Sequence, residues 1–204
     1  MARTVSTALP ELFAGIAEWS NVPENFNGAP SVQVSHIRDA PDLPNQEAHH
    51  VLDAAHWGFV AAWKESISER PQPFNARIES VSTNGMFREA FRRRRGIIPA
   101  LGYYEWRVMG DGTKVPYFIS APTAIITRDA LGHSAEIHDR MPVMLMPSAY
   151  DAWLGDTLSS AASAVSLLSD SSAVIAETIE LRPVNKRVGN VRNNDPDLIN
   201  PVEA

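Results

Sequence analysis

Apolar residues recur along this 204-residue chain with two different periods, and the period that holds in each stretch predicts the local structure. In LPELFAGIAEW, residues 9–19, Leu12, Ile16 and Trp19 stand at helical spacing, which predicts a helix closed by the Pro- and Asn-rich loop VPENFNGAP. SVQVSHI alternates and predicts a short strand, and the polar, proline-punctuated residues 39–50 predict a loop between strands. WGFVAAW at 57–63 is apolar enough for a buried strand or strand end; KESISERPQP predicts a loop and FNARIESV another strand. NGMFREAFRRRR at 84–95 sets Met86, Phe87, Ala90 and Phe91 to one side and predicts a helix with Asn84 as its cap.

Strands are predicted next at GIIPALGYYEWRV and VPYFI, joined by MGDGTK, whose Asp-Gly pair is a strong hairpin signal. TAIITRDA and MPVMLM predict two more, PSAYDAWLGD starts a short helix, and the Ser/Ala-rich stretch 157–173 is helical in pattern with poor capping. ETIELRPV predicts a last strand before the irregular tail VGNVRNNDPDLINPV, which has one small helical turn. Strands and helices mix without a βαβ rhythm. The expected architecture is therefore α+β: a single domain over 1–204, with a mainly antiparallel or mixed β-sheet forming a barrel-like core and short flanking helices.

Composition changes this picture little, with 44% hydrophobic and 21% charged residues, ordinary for a globular domain. No apolar run approaches the ~20 residues that span a bilayer, and MARTVSTALP lacks the apolar core of a secretory signal. A soluble, cytoplasmic protein without membrane contacts is expected. The absence of cysteine excludes disulfides, thiolate metal sites and thiol catalysis in this chain. A net charge of −6 argues against a nucleic-acid binder that uses its whole surface. The cations are nevertheless clustered, at Arg88, Arg92–Arg95 and Arg107 and again at Arg182, Lys186, Arg187 and Arg192. RRRR reads either as part of a basic patch or as a helix end where the dipole favours cations.

Three polar side chains stand at the ends of apolar runs: Asn75 in FNAR, Glu105 in GYYEW and His138 in EIHDRMPV. Singly they are weak signals, since a lone histidine beside a strand is more often structural and a strand glutamate usually faces water. Their coexistence matters, because an amide, a carboxylate and an imidazole from separate strand ends can converge on one pocket. HHVLDAAH places His49, His50, Asp53 and His56 at spacings that could hold a metal on a helix face, but the neighbouring apolar residues read as a loop entering a strand, so no metal or other cofactor is expected. No P-loop, Rossmann glycine pattern, GxSxG or HExxH is present.

FNARIES, RRRRGIIPALGYYEW, IHDRMPVML and RVGNVRNNDPDLINPV, in that order, resemble the SOS response-associated peptidase family, whose members recognise abasic sites in single-stranded DNA. FNGAPS at 26–31 and WGFVAAW also fit, so the resemblance covers nearly the whole chain. It implies attack on the ring-opened abasic aldehyde by the amine of an N-terminal cysteine exposed by loss of Met1, whose thiol then closes a thiazolidine. Carried onto this chain, the resemblance makes position 2, Ala2, the reacting residue, Asn75 its positioner, Glu105 the proton carrier and His138 an assistant in the sugar chemistry. It also implies phosphate contacts from Arg3, Arg77 and Arg140, and a DNA path lined by Pro30, Trp63 and Thr127, with Trp63 free to stack on a base.

The chain departs from the family pattern where Met-Ala-Arg replaces Met-Cys-Gly-Arg, so Ala2 offers an amine but no thiol. The connection between PYFI and TAIIT is short, and Gly28 replaces a bulkier residue. The expected function is an abasic-site sensor and processing protein, partnered by single-stranded DNA, monomeric, and nucleoid-associated if bacterial. A reversible Schiff base or strand-cleaving lyase activity replaces the durable link. The alternatives are a non-catalytic single-stranded DNA-binding module and a peptidase acting on its own Met1.

Overall fold

The computed structural model describes residues 2–3, 16–19, 24–40, 50–66, 68–69, 72–120 and 126–203. Three sheets organise them. The first is antiparallel throughout, in the order β1 (Ala2–Arg3), β7 (Gly102–Val108), β8 (Lys114–Ser120), β11 (Glu180–Pro183). The second runs β2 (Ile16–Trp19), β4 (His50–His56), β3 (Gln33–Asp39), β6 (Gly96–Ile97), with only the β2–β4 pair parallel. The third runs β10 (Arg140–Pro142), β9 (Ile126–Asp129), β5 (Ala76–Arg77), where β5 is parallel to β9. The helices are α1 (Ile78–Val81), α2 (Arg88–Arg93), α3 (Tyr150–Leu154) and α4 (Ala161–Ala176). The arrangement is mixed α/β and mainly antiparallel, and none of the three sheets closes into a barrel among the described residues.

Several predicted elements shift. Ile16–Trp19, expected as the end of a helix, is a strand alongside β4, and residues 9–15 lie outside the described residues. The strand expected at WGFVAAW lies upstream instead, where all seven residues of β4 pair with β3. Residues 57–63 then leave the sheet in turns held by Trp57, whose Nε1 donates to Phe74 O at 3.0 Å. In FNARIESV only Ala76–Arg77 is extended before α1 begins. Asn84 caps a preceding turn, its Oδ1 accepting from Met86 N at 2.8 Å, and the helix proper starts only at Arg88. GIIPALGYYEWRV divides between two sheets, β6 ending at Ile97 and β7 starting at Gly102, with Pro99, which has no amide hydrogen to donate, in between. The predicted poor capping of α4 is corrected by Ser160, whose Oγ accepts from Ser163 N at 3.0 Å.

The MGDGTK hairpin forms as expected. Asp111 Oδ1 accepts from Thr113 N at 2.9 Å and Gly112 supplies φ +81°. The largest core cluster packs β3, β4 and β6 against α2, α3 and α4 through Ile37, Leu52, Phe91, Trp153 and Leu168. A second cluster, with Tyr103, Ile119, Ile137, Met141, Met144 and Ile175, joins β7 and β8 to the segment leading into β10. Burying each such side chain is worth about 1.5–3 kcal/mol, and this second cluster braces the first sheet, through Tyr103 and Ile119, against Met141 of the third. No described helix is long and apolar enough to cross a membrane.

Candidate functional site

β7 is the strand that GYYEW builds, and burial falls along it: Tyr103 and Tyr104 are buried on opposite faces, whereas Glu105 and Trp106 are half-buried. β1 pairs with its start, Ala2 opposite Tyr103 and Arg3 opposite Gly102. Gly102 is required there, because a Cβ would lie 2.2 Å from Ile119 O on the neighbouring strand. The backbone of Ala2 is thereby set beside the strand position two residues before Glu105. The side chains of Ala2 and Arg3 lie outside the described residues.

Glu105 shares a face with Tyr103, since side chains alternate along a strand. Burial pushes the Tyr103 phenol up to about 12, with the Glu105 charge adding to the rise and a hydrogen bond to Ser134 opposing it. Tyr103 therefore stays protonated throughout the neutral range. Its hydroxyl lies 3.2 Å from Ser134 Oγ, and either oxygen can donate. Ser134 sits in the 3-10 turn Gly132–Glu136, and its carbonyl accepts from Ile137 N at 3.1 Å and His138 N at 3.2 Å.

His138 follows directly, its side chain 45% exposed. Its Nδ1 lies 3.0 Å from Arg140 N and 2.8 Å from Asp139 Oδ1. One ring nitrogen cannot accept from an amide and donate to a carboxylate at once. The amide contact has hydrogen-bond geometry, which makes Nδ1 the acceptor and leaves Nε2 as the ring's N–H.

Two of the three cationic candidates, Arg77 and Arg140, lie on the third sheet, and Arg3 lies in β1 of the first. Arg77 lies opposite Thr127 across β5–β9, and Arg140 opposite Asp129 across β9–β10, so Arg77, Thr127, Asp129 and Arg140 share one face. Arg140 donates to Glu79 through both terminal nitrogens, at 2.8 and 3.1 Å, and also contacts Asp129 and, at 3.4 Å, Thr127 Oγ1. Its hydrogen bond holds the Glu79 carboxyl below the usual range, and the same carboxylate raises Arg140. Arg77 is exposed and makes no ion pair among the described residues. Trp63 is 65% exposed on a turn, and Pro30 is half-buried beside Ser31, which takes φ +78°.

Asn75, exposed just before β5, lines a cleft of about 360 Å³ with Gln72, Pro73, Asn84, Met86 and Phe87. It approaches β9 from the Ile126 end, whereas His138 enters from the Asp129 end, and no hydrogen bond joins the two among the described residues. β7 thus carries Glu105 and pairs with Ala2, and its Tyr103 meets Ser134, whose carbonyl holds the His138 amide, whereas Arg77, Thr127 and Arg140 are brought together by β9. Asn75 is attached to the second group by β5 alone. Among the described residues of HHVLDAAH, His50 faces Asp39 and Asp151, Asp53 faces His36 and Arg38, and His56 faces Gln72. His49 lies outside the described residues, among which no group of three or more candidate ligands could hold a metal.

Sequence reasoning missed Tyr103, Ser134, Glu79 and Asp129. Tyr103 reads as wall and Ser134 has no local signal, but Glu79 is two residues from Arg77 in FNARIES, a charge pattern that could have marked it.

The profile of the family described as SOS response associated peptidase (SRAP) matches residues 2–123 and 121–191. The chain is 31% identical over 183 residues to the abasic site processing protein YedK of Escherichia coli, covering 78% of this chain and 79% of YedK. It is 26% identical over 220 residues to the abasic site processing protein YoqW of Bacillus subtilis, covering 92% of this chain and 97% of that protein. Among solved structures, a protein from Bacteroides thetaiotaomicron superposes with a TM-score of 0.67 at 21% identity, covering 85% of this chain and 82% of that one. A protein from Bordetella bronchiseptica gives 0.66 at 19%, covering 90% and 98%. These two likenesses establish a shared fold. The sequence matches establish more, and on them the chain belongs to the SOS response associated peptidase family.

Proposed function

We propose that this protein processes abasic sites, binding single-stranded DNA as a monomeric single domain and engaging the ring-opened abasic sugar with the amino group of Ala2 after loss of Met1. The observation that supports this most is the β1–β7 register, which sets Ala2 opposite Tyr103, next along one face from Glu105. The naming of its relatives as abasic site processing proteins supports the substrate class.

A free α-amino group titrates near pH ~8, so a useful fraction is neutral at pH 7. The nitrogen lone pair adds to the sugar aldehyde carbon, the C=O π pair moves to oxygen, and a carbinolamine forms once that oxygen gains a proton and the nitrogen loses one. Loss of the hydroxyl as water then gives the imine. In this scheme Glu105 moves the protons, taking one from the anomeric hydroxyl and returning it to the ring oxygen as the sugar opens and then serving the carbinolamine and imine steps, while His138 assists the sugar chemistry by hydrogen bonding. Asn75 positions the reacting residue. Arg3, Arg77 and Arg140 hold phosphates, while Pro30, Trp63 and Thr127 line the strand. In this reading the three sheets together surround a barrel-like core, none of them closing into a barrel by itself among the described residues.

Ala2 has no thiol, so the imine cannot close to a thiazolidine and the link stays hydrolysable or proceeds to strand cleavage. That same observation favours a second reading, a module that binds without reacting. Borohydride trapping on single-stranded DNA with one abasic site separates the two. The proposal expects a reduced covalent adduct, slower with Glu105→Gln; a protein that binds this DNA but yields no adduct is the module. Intact mass shows whether Met1 has been removed, and retained Met1 would exclude the Ala2 amine.

A further inference from the structure

Tyr103 and Ser134 are among the most buried polar groups of the molecule, 2% and 1% exposed, and their hydroxyls meet across a separation of 31 residues. Nothing in the proposed chemistry uses them directly. Tyr103 shares its cluster with Ile119, Ile137, Met141 and Met144, and the Ser134 hydroxyl is the hydrogen-bond partner of its phenol there. A tyrosine and a serine in such a cluster are a costly way to fill space, and phenylalanine with alanine would pack it without polar atoms.

The position of the pair gives it a use. Tyr103 is fixed in β7 between the backbone of Ala2 and the next same-face residue, Glu105. Ser134 is fixed in the turn that ends at His138, and its own carbonyl holds the His138 amide. The start of that turn has little freedom. Gly132 takes φ +53°, a Cβ there would lie 2.7 Å from Ala176 O, and Leu131 N donates to the Met141 sulfur at 3.1 Å. The turn's entry is thus held by contacts of its own, its carbonyl at Ser134 holds the His138 amide, and the Tyr103–Ser134 hydrogen bond ties its middle to β7.

We infer that Tyr103 and Ser134 are positioning residues: their buried hydroxyl pair fixes His138 relative to Glu105, so that the imidazole and the carboxylate address one sugar. The inference rests on the proposed abasic-site reading, and it adds two residues to that site without either touching DNA. Geometric tolerance in such a site is small, since a displacement of about 1 Å can cost about 100-fold in rate.

The test is a double-mutant cycle of Tyr103→Phe and Ser134→Ala in the full chain, read by single-turnover borohydride trapping at saturating abasic single-stranded DNA. Each single variant is expected to slow trapping about tenfold, with DNA affinity within about twofold of the parent, and the double variant to be no slower than the singles because one hydrogen bond is lost in every case. A purely structural role would lower thermal stability and leave the rate at saturating DNA unchanged. That result, or rate losses that multiply in the double variant, would overturn the inference. The His138 ring resonances, assigned by their loss in His138→Gln, give a readout independent of the reaction. They should move in Tyr103→Phe while those of His133 stay in place; unmoved His138 resonances also overturn the inference. Should the parent protein trap no DNA, the abasic-site reading fails by itself, and the resonances still decide whether the hydroxyl pair positions His138.

Discussion

Replacing Glu79 with glutamine should have two effects of opposite sign. Glu79 receives both terminal nitrogens of Arg140, at 2.8 and 3.1 Å, a bidentate geometry that sits at the favourable end of surface ion pairs. Arg140 is 21% exposed and Glu79 48%, so solvent screening limits the pair to about 1 kcal/mol. Glutamine keeps one acceptor oxygen but loses the charge, and for a chain of this size a loss of ~1 kcal/mol lowers Tm by about 2–4 °C. The proposed function gives the same guanidinium to a phosphate, and a carboxylate and a phosphate cannot both hold its fork. For a phosphate bound about 4 Å from this carboxylate, removing the charge would relieve on the order of 1 kcal/mol of repulsion in a high-dielectric setting, or two- to fivefold in Kd. The assay pairs thermal melts with fluorescence anisotropy on labelled single-stranded DNA carrying a stable abasic analogue. At about 50 mM salt Glu79→Gln should melt lower and bind tighter, with the gain shrinking as salt rises. Binding that weakens along with Tm would refute the competition and show that Glu79 orients Arg140 for DNA.

Arg77 is exposed and makes no ion pair among the described residues, so Arg77→Ala should weaken DNA binding and reduce the log–log salt slope by about 0.7, with Tm unchanged; an unaltered slope removes Arg77 from the phosphate contacts. Gly132→Ala forces a Cβ against Ala176 O at φ +53°, a left-handed conformation that alone costs roughly 1–2 kcal/mol; a lower Tm with slower trapping is expected, and an unchanged Tm would show that the turn relaxes freely. Burial depresses His36 below its ordinary 6.5 despite the nearby Asp53, so the unfolded chain takes up this proton first. Its contribution to stability is therefore present above pH 6.5 and lost as pH falls from there through the folded-state value; melts between pH 7.5 and 5 should show a slope that His36→Gln reduces, and an equal slope in the variant would assign it elsewhere.

What could be read from the sequence was what neighbours in the chain decide. The Asp111–Gly112 turn closes through a contact two residues away, so the hairpin joining β7 to β8 was legible. IAEW was not: Ile16 and Trp19 fit a helical stripe, but these residues become a strand because β4, more than thirty positions later, offers a partner. The Ser160 cap hides in a run of serines, any of which could have served. The charged neighbours of Arg140 were half legible, since Glu79 lies in the same motif as Arg77, whereas Asp129 reaches Arg140 only through the β9–β10 pairing. FNGAPS was matched as a motif, but not its anchorage, Asn27 Nδ2 donating to Val188 O and Asn190 O across more than 160 positions. Ser134 is the extreme case, since nothing near it in sequence indicates that its hydroxyl meets Tyr103.

The carboxylate in GYYEW then has a physical explanation that neither the strand nor the family pattern supplies alone. Burial along β7 runs from complete at Tyr103 and Tyr104 to partial at Glu105, and exposure increases further at Val108. One residue earlier, an ionised carboxylate would bear most of the desolvation cost of the core and would titrate away from charge. One residue later, it would leave the face of Tyr103. Position 105 is where a carboxylate keeps contact with water, still acts on the phenol beside it, and lies on the edge where β1 delivers Ala2. The gradient is created by the tyrosines, which bury opposite faces of the same strand in two different core clusters. The aromatics of GYYEW therefore set the depth at which Glu105 sits, and through Ser134 one of them also reaches the turn that carries the histidine.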